Sequence, residues 1–519
     1  MNSKRYMMVF IVLFSVFVQA AGAAELVIGT RVEPLIDPHS QYVTANMAYS
    51  KHIFGTLTRV DNNIRLVPGL AKSWKAIDSN TWEFKLAQGI KFHDGSDFTA
   101  EDVVFSYKRV PNIGNGAFLS SLRGIVETKI ADPHTLIIKT EKPNPILPFQ
   151  INNVFIVSKK ACEKAETADF TSGKAAIGTG PYKFAEFVPG NRLVLQKNET
   201  YQGEKPAFDK VTFRIFSNND TRTAALAGGA VDMIDFVPPN EVEQLEKKNF
   251  KIFKCASDRV IFMTCNTLKS FPFITDKDGK ALEKNPLKDI RVRKALSKAI
   301  YRDAIVQQVM TGLAFPASQI IPEGWYSYNP ELNVEKYDPE GARKLLAEAG
   351  YPDGFGLTIH GPNDRYVNDA KICEALAQML GKIGLRIKVE TLPKSAYFTK
   401  LVPPQNEFAF ALLGWSSSDA GESSNGLVSI AHSYDKSKGI GINNPGHSNP
   451  QTDAVIEKAV ATVDTGAREK MLQEAMAAVI NDYALIPLHA QSVVIASRKG
   501  ITYIPRADEQ TLAMNAKPE

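Results

Sequence analysis

At 519 residues the chain is too long for one compact hydrophobic core, so about two or three domains are expected. With 44% apolar and 23% charged residues it has the composition of an ordinary globular protein. The formal charge of +5 is spread along the chain, and no basic run is dense enough to suggest nucleic acid or an anionic membrane surface as a partner.

Residues 1–23 read as an export signal. Lys4 and Arg5 precede the apolar run "MMVFIVLFSVFV", and "AGA" at 21–23 fits a cleavage site. The run is short for a membrane span, which needs about 20 residues. No cysteine lies near the cleavage site, so a periplasmic protein without a lipid anchor is expected. Export permits disulfides among Cys162, Cys255, Cys265 and Cys373. Cys255 and Cys265 flank "ASDRVIFMT", and either a bridge between them or two free thiols is compatible with that spacing.

After the signal, "ELVIGT" reads as a strand ending in a polar loop. "TWEFKL" alternates with period two, "HDGS" is a turn, and Thr99 with Asp102 resembles a capping box opening a helix. "GTGPYKFAEFVPGNRLVLQKN" reads as a glycine-rich loop and two strands, and "NDTRTAALAGGAVDMIDF" as a helix followed by a short strand. From residue 289 the helices lengthen. Asp289 caps "IRVRKALSKAIYRDAIVQQVM", in which Val292, Leu296, Ala299 and Ile300 recur at helical spacing. In "YDPEGARKLLAEAGYP" Asp338 is the N-cap, Pro339 takes the first helical position and Gly350 the stop. "GLTIHG", "RIKVETL" and "FAFALLG" are strands, with the helix "NDAKICEALAQMLGKIG" between the first two, which gives an α/β lobe. A last helix, "REKMLQEAMAAVIND", leads into the strand region "LIPLHAQSVVIASRKGI". No flexible linker separates these parts, so strands crossing between lobes are expected to form a hinge.

Catalytic signatures are absent: there is no H-E-x-x-H, G-x-S-x-G, P-loop or helix-opening G-x-G-x-x-G, and the eight histidines show no ligand-like spacing. No metal, cofactor or enzymatic activity is expected. Polar groups gather instead at predicted strand ends, where α/β lobes bind ligands. They are Thr30, Arg31 and Glu33; Asn266 and Thr267; Asn363, Asp364, Arg365 and Tyr366; and Trp415, Ser416, Ser417, Ser418 and Asp419. Trp415 offers an apolar face and one donor, Asp419 suits an ammonium group, and Arg365 suits a two-point carboxylate contact. The serines and Asn266 suit a peptide-like backbone.

The segments "LVPGLAKSWKAIDSNTWEFKLAQGIKFHDGSDFTAEDVVFSYKRV", "GTGPYKF", "DIRVRKALSKAIYRDAIV" and "DPEGARKLLAEAGYPDG", in that order, resemble family 5 bacterial extracellular solute-binding proteins, the receptors of ABC importers. The resemblance implies an α/β fold of the two-lobed, clamshell type (type II, cluster C-like) with an extra subdomain inserted in the N-terminal lobe. It places lobe I at 24–48, 178–262 and 489–519, the insert at 49–177 and lobe II at 263–488, with crossings near 258–268 and 484–494. It implies a monomer that hands its solute to membrane permease subunits, with no nucleic acid involved. In peptide-binding relatives an aspartate three residues after Gly-Trp holds the ligand's amino terminus. Here Gly414 and Trp415 match, Ser418 occupies that position, and Asp419 follows one residue later. The expected cargo is a di- or oligopeptide; the alternatives are an opine-like conjugate, a metal chelate, haem or a sugar-like solute. An exported hydrolase using Ser416, Ser417 or Ser418 is the reading from another class.

Overall fold

The computed structural model describes residues 24–41, 43–113, 116–417 and 421–519. The export signal therefore lies outside the described residues. Among those described, no helix is long and apolar enough to cross a membrane.

A single sheet of 11 strands forms the backbone of the fold. Its first strand, Glu25–Thr30, pairs in parallel with Lys210–Ile215 and with Met233–Ile234. Two long strands, Lys251–Cys265 and Leu485–Ser497, run antiparallel through the middle. Beyond them lie Phe410–Ser416, Gly356–Pro362 and Arg386–Leu392. A separate antiparallel sheet is built from Ala71–Asp78, Thr81–Leu86, Thr135–Thr140 and Ile125–Asp132.

The two long strands change core along their length. Phe253 and Cys255 pack with the core that holds Leu26, Phe84 and Phe213, whereas Ile261 and Met263 pack with the core of Leu296, Ile359 and Leu376. Val493 and Ile495 belong to the first core, Ile486 and Leu488 to the second. Their mutual pairing runs from Lys251 to Ala256, lapses, and resumes at Val260. The chain that interrupts it is Ser257-Asp258-Arg259, polar residues that cannot continue either apolar face.

Local signals behave as their chemistry dictates. Thr99 and Asp102 form the capping box of Ala100–Arg109. Asp338 accepts from the Gly341 N–H at the start of Pro339–Glu348, and Gly350 takes the left-handed φ of +93° beyond its end. The long helix expected after Asp289 is instead broken. Ile290–Lys298 is helical, but the Arg302 guanidinium turns inward to the carbonyls of Ser297 and Pro487, and a short π turn follows at Ile305–Val309. Burying that cation against carbonyls outweighs continuing the helical ladder. All four cysteines are free thiols. Cys255 and Cys265 lie on the same long strand, on the order of 30 Å apart at the usual rise, so no bridge between them forms.

Gly178 lies flush on the end of the helix Thr44–Ile53, and a Cβ there would stand 1.9 Å from the Ile53 carbonyl oxygen. Gly178→Ala is therefore expected to destabilise by about 1–3 kcal/mol, seen as a lowered melting temperature. Burial pushes the imidazoles of His39, His52 and His489 down to about 4. His52 is fixed as a neutral ring, its Nδ1 donating to the Ala48 carbonyl while its Nε2 accepts from the Ala513 N–H. The unfolded chain takes up these protons first, so their contribution is full above pH 6.5 and declines towards pH 4. His93 is likewise lowered to about 4; Asp235, raised to about 6 by burial, and Asp102, also raised by burial, act in the opposite direction but are outnumbered by the four imidazoles. Melting temperatures are expected to begin falling near pH 6.5; a flat profile down to pH 4.5 would contradict this.

Candidate functional site

The strand Phe410–Ser416 lies parallel to Gly356–Pro362, so the chain leaving both strands emerges on the same side of the sheet. That topology brings the predicted groups at 363–366 and 415–417 together. Tyr366 joins them: its hydroxyl donates to the Gly414 carbonyl at 3.2 Å and accepts from the Gly414 N–H at 2.9 Å. A side chain at 414 would lie 2.8 Å from the Tyr366 ring, which is why glycine precedes the tryptophan.

Trp415 packs partly buried against the cluster of Ile320 and Leu427, with its Nε1–H buried and without an acceptor among the described residues. Ser416 sits opposite Arg259 on the first long strand and donates its hydroxyl to the buried carboxylate of Asp258. Ser417 is buried, and its carbonyl accepts from the Gly421 N–H. Ser418 and Asp419 lie outside the described residues.

Arg365 is exposed, with its guanidinium 5.1 Å from the Tyr366 ring centroid and no ion pair among the described residues. Asn363 is exposed, and its backbone N–H donates to Leu392. On the other side of the long strands, Arg31 follows the strand Glu25–Thr30 and lies 3.7 Å above the Phe236 ring. Beneath it Thr30 donates to Asp235 at 3.0 Å. Glu33 turns away to accept the Gly190 N–H at 2.8 Å.

Asn266 does not join the others. The long strand carrying it runs antiparallel to Phe410–Ser416, with Cys265 opposite Phe410, so Asn266 emerges at the far end of the sheet from Trp415. There its amide donates to the Asn406 carbonyl and accepts from the Leu268 N–H, which anchors loops.

Two features escape the sequence reading. One is the Ser257-Asp258-Arg259 interruption, signalled only by three polar residues in an apolar run. Glu509, from the chain's last segment, accepts from the Ser257 hydroxyl at 2.9 Å and stands 3.9 Å from Arg259. The other is a cavity of about 440 Å³ between residues 64–149 and 324–469, lined by Trp74, Trp82, Phe149, Trp325 and Tyr326. The buried Glu422–Arg468 ion pair forms part of its wall.

The pattern described as bacterial extracellular solute-binding proteins, family 5 Middle, matches residues 65–438. The chain belongs to this family. Among curated relatives, the glutathione-binding protein GsiB of Escherichia coli (strain K12) is 27% identical over 476 residues, covering 90% of this chain and 89% of GsiB. Among solved structures, the murein tripeptide binding protein MppA in its unliganded open form aligns with a TM-score of 0.80 at 23% identity, covering 96% of this chain and 98% of MppA. DppA from Helicobacter pylori, in complex with the peptide STSA, aligns with a TM-score of 0.67 at 23% identity, covering 96% and 99%. The family fold is the two-lobed arrangement of periplasmic binding proteins, and the family's members are transport binding proteins.

Tyr366→Phe removes the partner of both Gly414 backbone groups. It is expected to destabilise by about 1–3 kcal/mol and to weaken solute binding as the 414–417 segment shifts; denaturation and titration calorimetry check the two effects. Trp415→Ala is expected to fold while binding solute more weakly. Unchanged affinity would remove the indole from the site.

Proposed function

We propose that the protein is the solute-capturing component of an ABC importer, and that its cargo is a short peptide-like solute held between the lobes by its carboxylate and ammonium ends. The observation that carries this reading is the exposed guanidinium of Arg365, without an ion pair among the described residues, beside the Gly414-Trp415-Ser416 strand end. A guanidinium offers a carboxylate two parallel hydrogen bonds. In this reading Arg365 holds the carboxylate, Asp419 takes the ammonium group, Trp415 covers the apolar body, and Asn363, Ser416, Ser417 and Ser418 line the path between. Arg31 faces them from the other lobe, with Glu33 behind it. The similarity to the glutathione-binding protein GsiB supports a peptide-like solute over the other cargoes. Transport binding proteins in the family speak against an exported serine hydrolase.

The lobes follow the limits of the family resemblance: 24–48, 178–262 and 489–519 against 263–488, with 49–177 inserted in the first. The solute contacts both lobes only when they close, so binding shifts an open–closed equilibrium and no bond is broken. Closed protein is then recognised by permease subunits, with the mature chain exported and monomeric.

Native mass spectrometry of protein purified from its own periplasm tests the cargo. A ladder of short-peptide masses is expected; a single non-peptide mass or a metal complex would overturn the peptide reading. Arg365→Ala is expected to weaken peptide binding about ten- to a hundredfold, the range for one charge-assisted contact.

A further inference from the structure

Arg259 sits in the segment where the pairing of the two long strands lapses, directly opposite Ser416. Its guanidinium and that of Arg365 both act on the Tyr366 hydroxyl, whose pKa is raised first by burial and drawn back by these two cations. From the other lobe, Arg31 stacks on Phe236, and Phe236 lines a small cavity together with Glu509, the residue 3.9 Å from Arg259. Arg259 and Arg365 thus share Tyr366, and a chain of contacts through Glu509 and Phe236 leads from Arg259 to Arg31.

Among the described residues, the carboxylates nearby are committed elsewhere. Asp258 accepts from Ser416, and Asp364 from the Lys394 N–H at 2.6 Å. Asp369 accepts from the N–H groups of Arg365 and Tyr366 at 2.9 and 3.0 Å. Asp235 faces Thr30 and Arg222, and Glu33 holds the Gly190 N–H. Among the described residues neither Arg31 nor Arg365 has an ion pair, and Arg259 has only Glu509, at a separation too long for a hydrogen bond. The Arg259 side chain is only 18% exposed, so this cation has lost most of its water without gaining a close partner among the described residues. A group in that state favours an incoming anion.

We propose that Arg259 is a second anion-binding residue of the cleft, and that the captured solute is a short peptide-like molecule carrying two carboxylates, one for Arg365 and one for Arg259. This rests on the peptide reading above. Glu509 holds the place of the second carboxylate until the solute arrives, then keeps only its bond from Ser257. Because Arg259 belongs to the interruption between the lobes, filling its coordination ties solute binding to the hinge. Arg31 closes over the same end from lobe I.

The test compares acid and amide partners by titration calorimetry: Glu-Ala against Gln-Ala, Ala-Glu against Ala-Gln, and glutathione against its monoamides. At least one acid is expected to bind about ten- to a hundredfold more tightly than its amide. Arg259→Gln should abolish that preference by weakening the acids far more than the amides. Glu509→Gln keeps the acceptor for Ser257 but removes the competing charge, and should tighten acid binding. These opposite signs distinguish an anion site from a structural ion pair, in which both variants would only weaken binding. Amides that bind as tightly as the acids would overturn the two-carboxylate proposal and leave the peptide reading standing. If none of these peptides bound, both would fall.

Discussion

The structure depends on two strands that each belong to two cores. Lys251–Cys265 and Leu485–Ser497 pair with one another on both sides of a gap, so the lobes share a spine yet are not welded. A continuous antiparallel ladder would fix the angle between them. The lapse at Ser257-Asp258-Arg259 removes that restraint at one place and leaves the pairing on either side intact. Few residues then have to absorb a change of lobe angle, which is what a hinge requires.

The same interruption supplies chemistry. Asp258 is buried and receives the Ser416 hydroxyl, which ties the hinge to the strand end that carries Trp415. Arg259, one residue further on, lies opposite Ser416 and 3.9 Å from Glu509. Glu509, in the left-handed region at φ +59°, reaches the hinge from the last segment of the chain through Ser257. In the proposed reading, hinge, solute contacts and the last segment of the chain meet in a handful of side chains. Gly421 and Glu422 line the aromatic cavity of about 440 Å³ between residues 64–149 and 324–469.

Much of this was legible in the sequence where one residue type has one physical use. The capping box at Thr99, the Asp338-Pro339 start and Gly350 stop, and the strand ending at Gly414-Trp415 follow from local chemistry, and the ordered family segments extended them to a two-lobed fold. The parallel strands put 363–366 beside 415–417, as the strand-end argument expects. The same argument fails for Asn266, because it holds only for strands pointing the same way, and the direction of Lys251–Cys265 is a tertiary fact. It fails for the helix after Asp289 because Arg302 finds its carbonyls on Pro487, far away in sequence. It misses Glu509 entirely, since nothing in the last segment says which hinge it will touch. The suggested Cys255–Cys265 bridge failed for a related reason: the intervening residues form one strand, not a hairpin.

Small-angle X-ray scattering of the mature protein, with and without saturating short peptide, tests most directly that solute capture is lobe closure about this interruption. The radius of gyration is expected to fall on adding peptide and to return to its starting value when the peptide is dialysed away. Peptide binding confirmed by calorimetry with no change in the scattering curve would contradict the account.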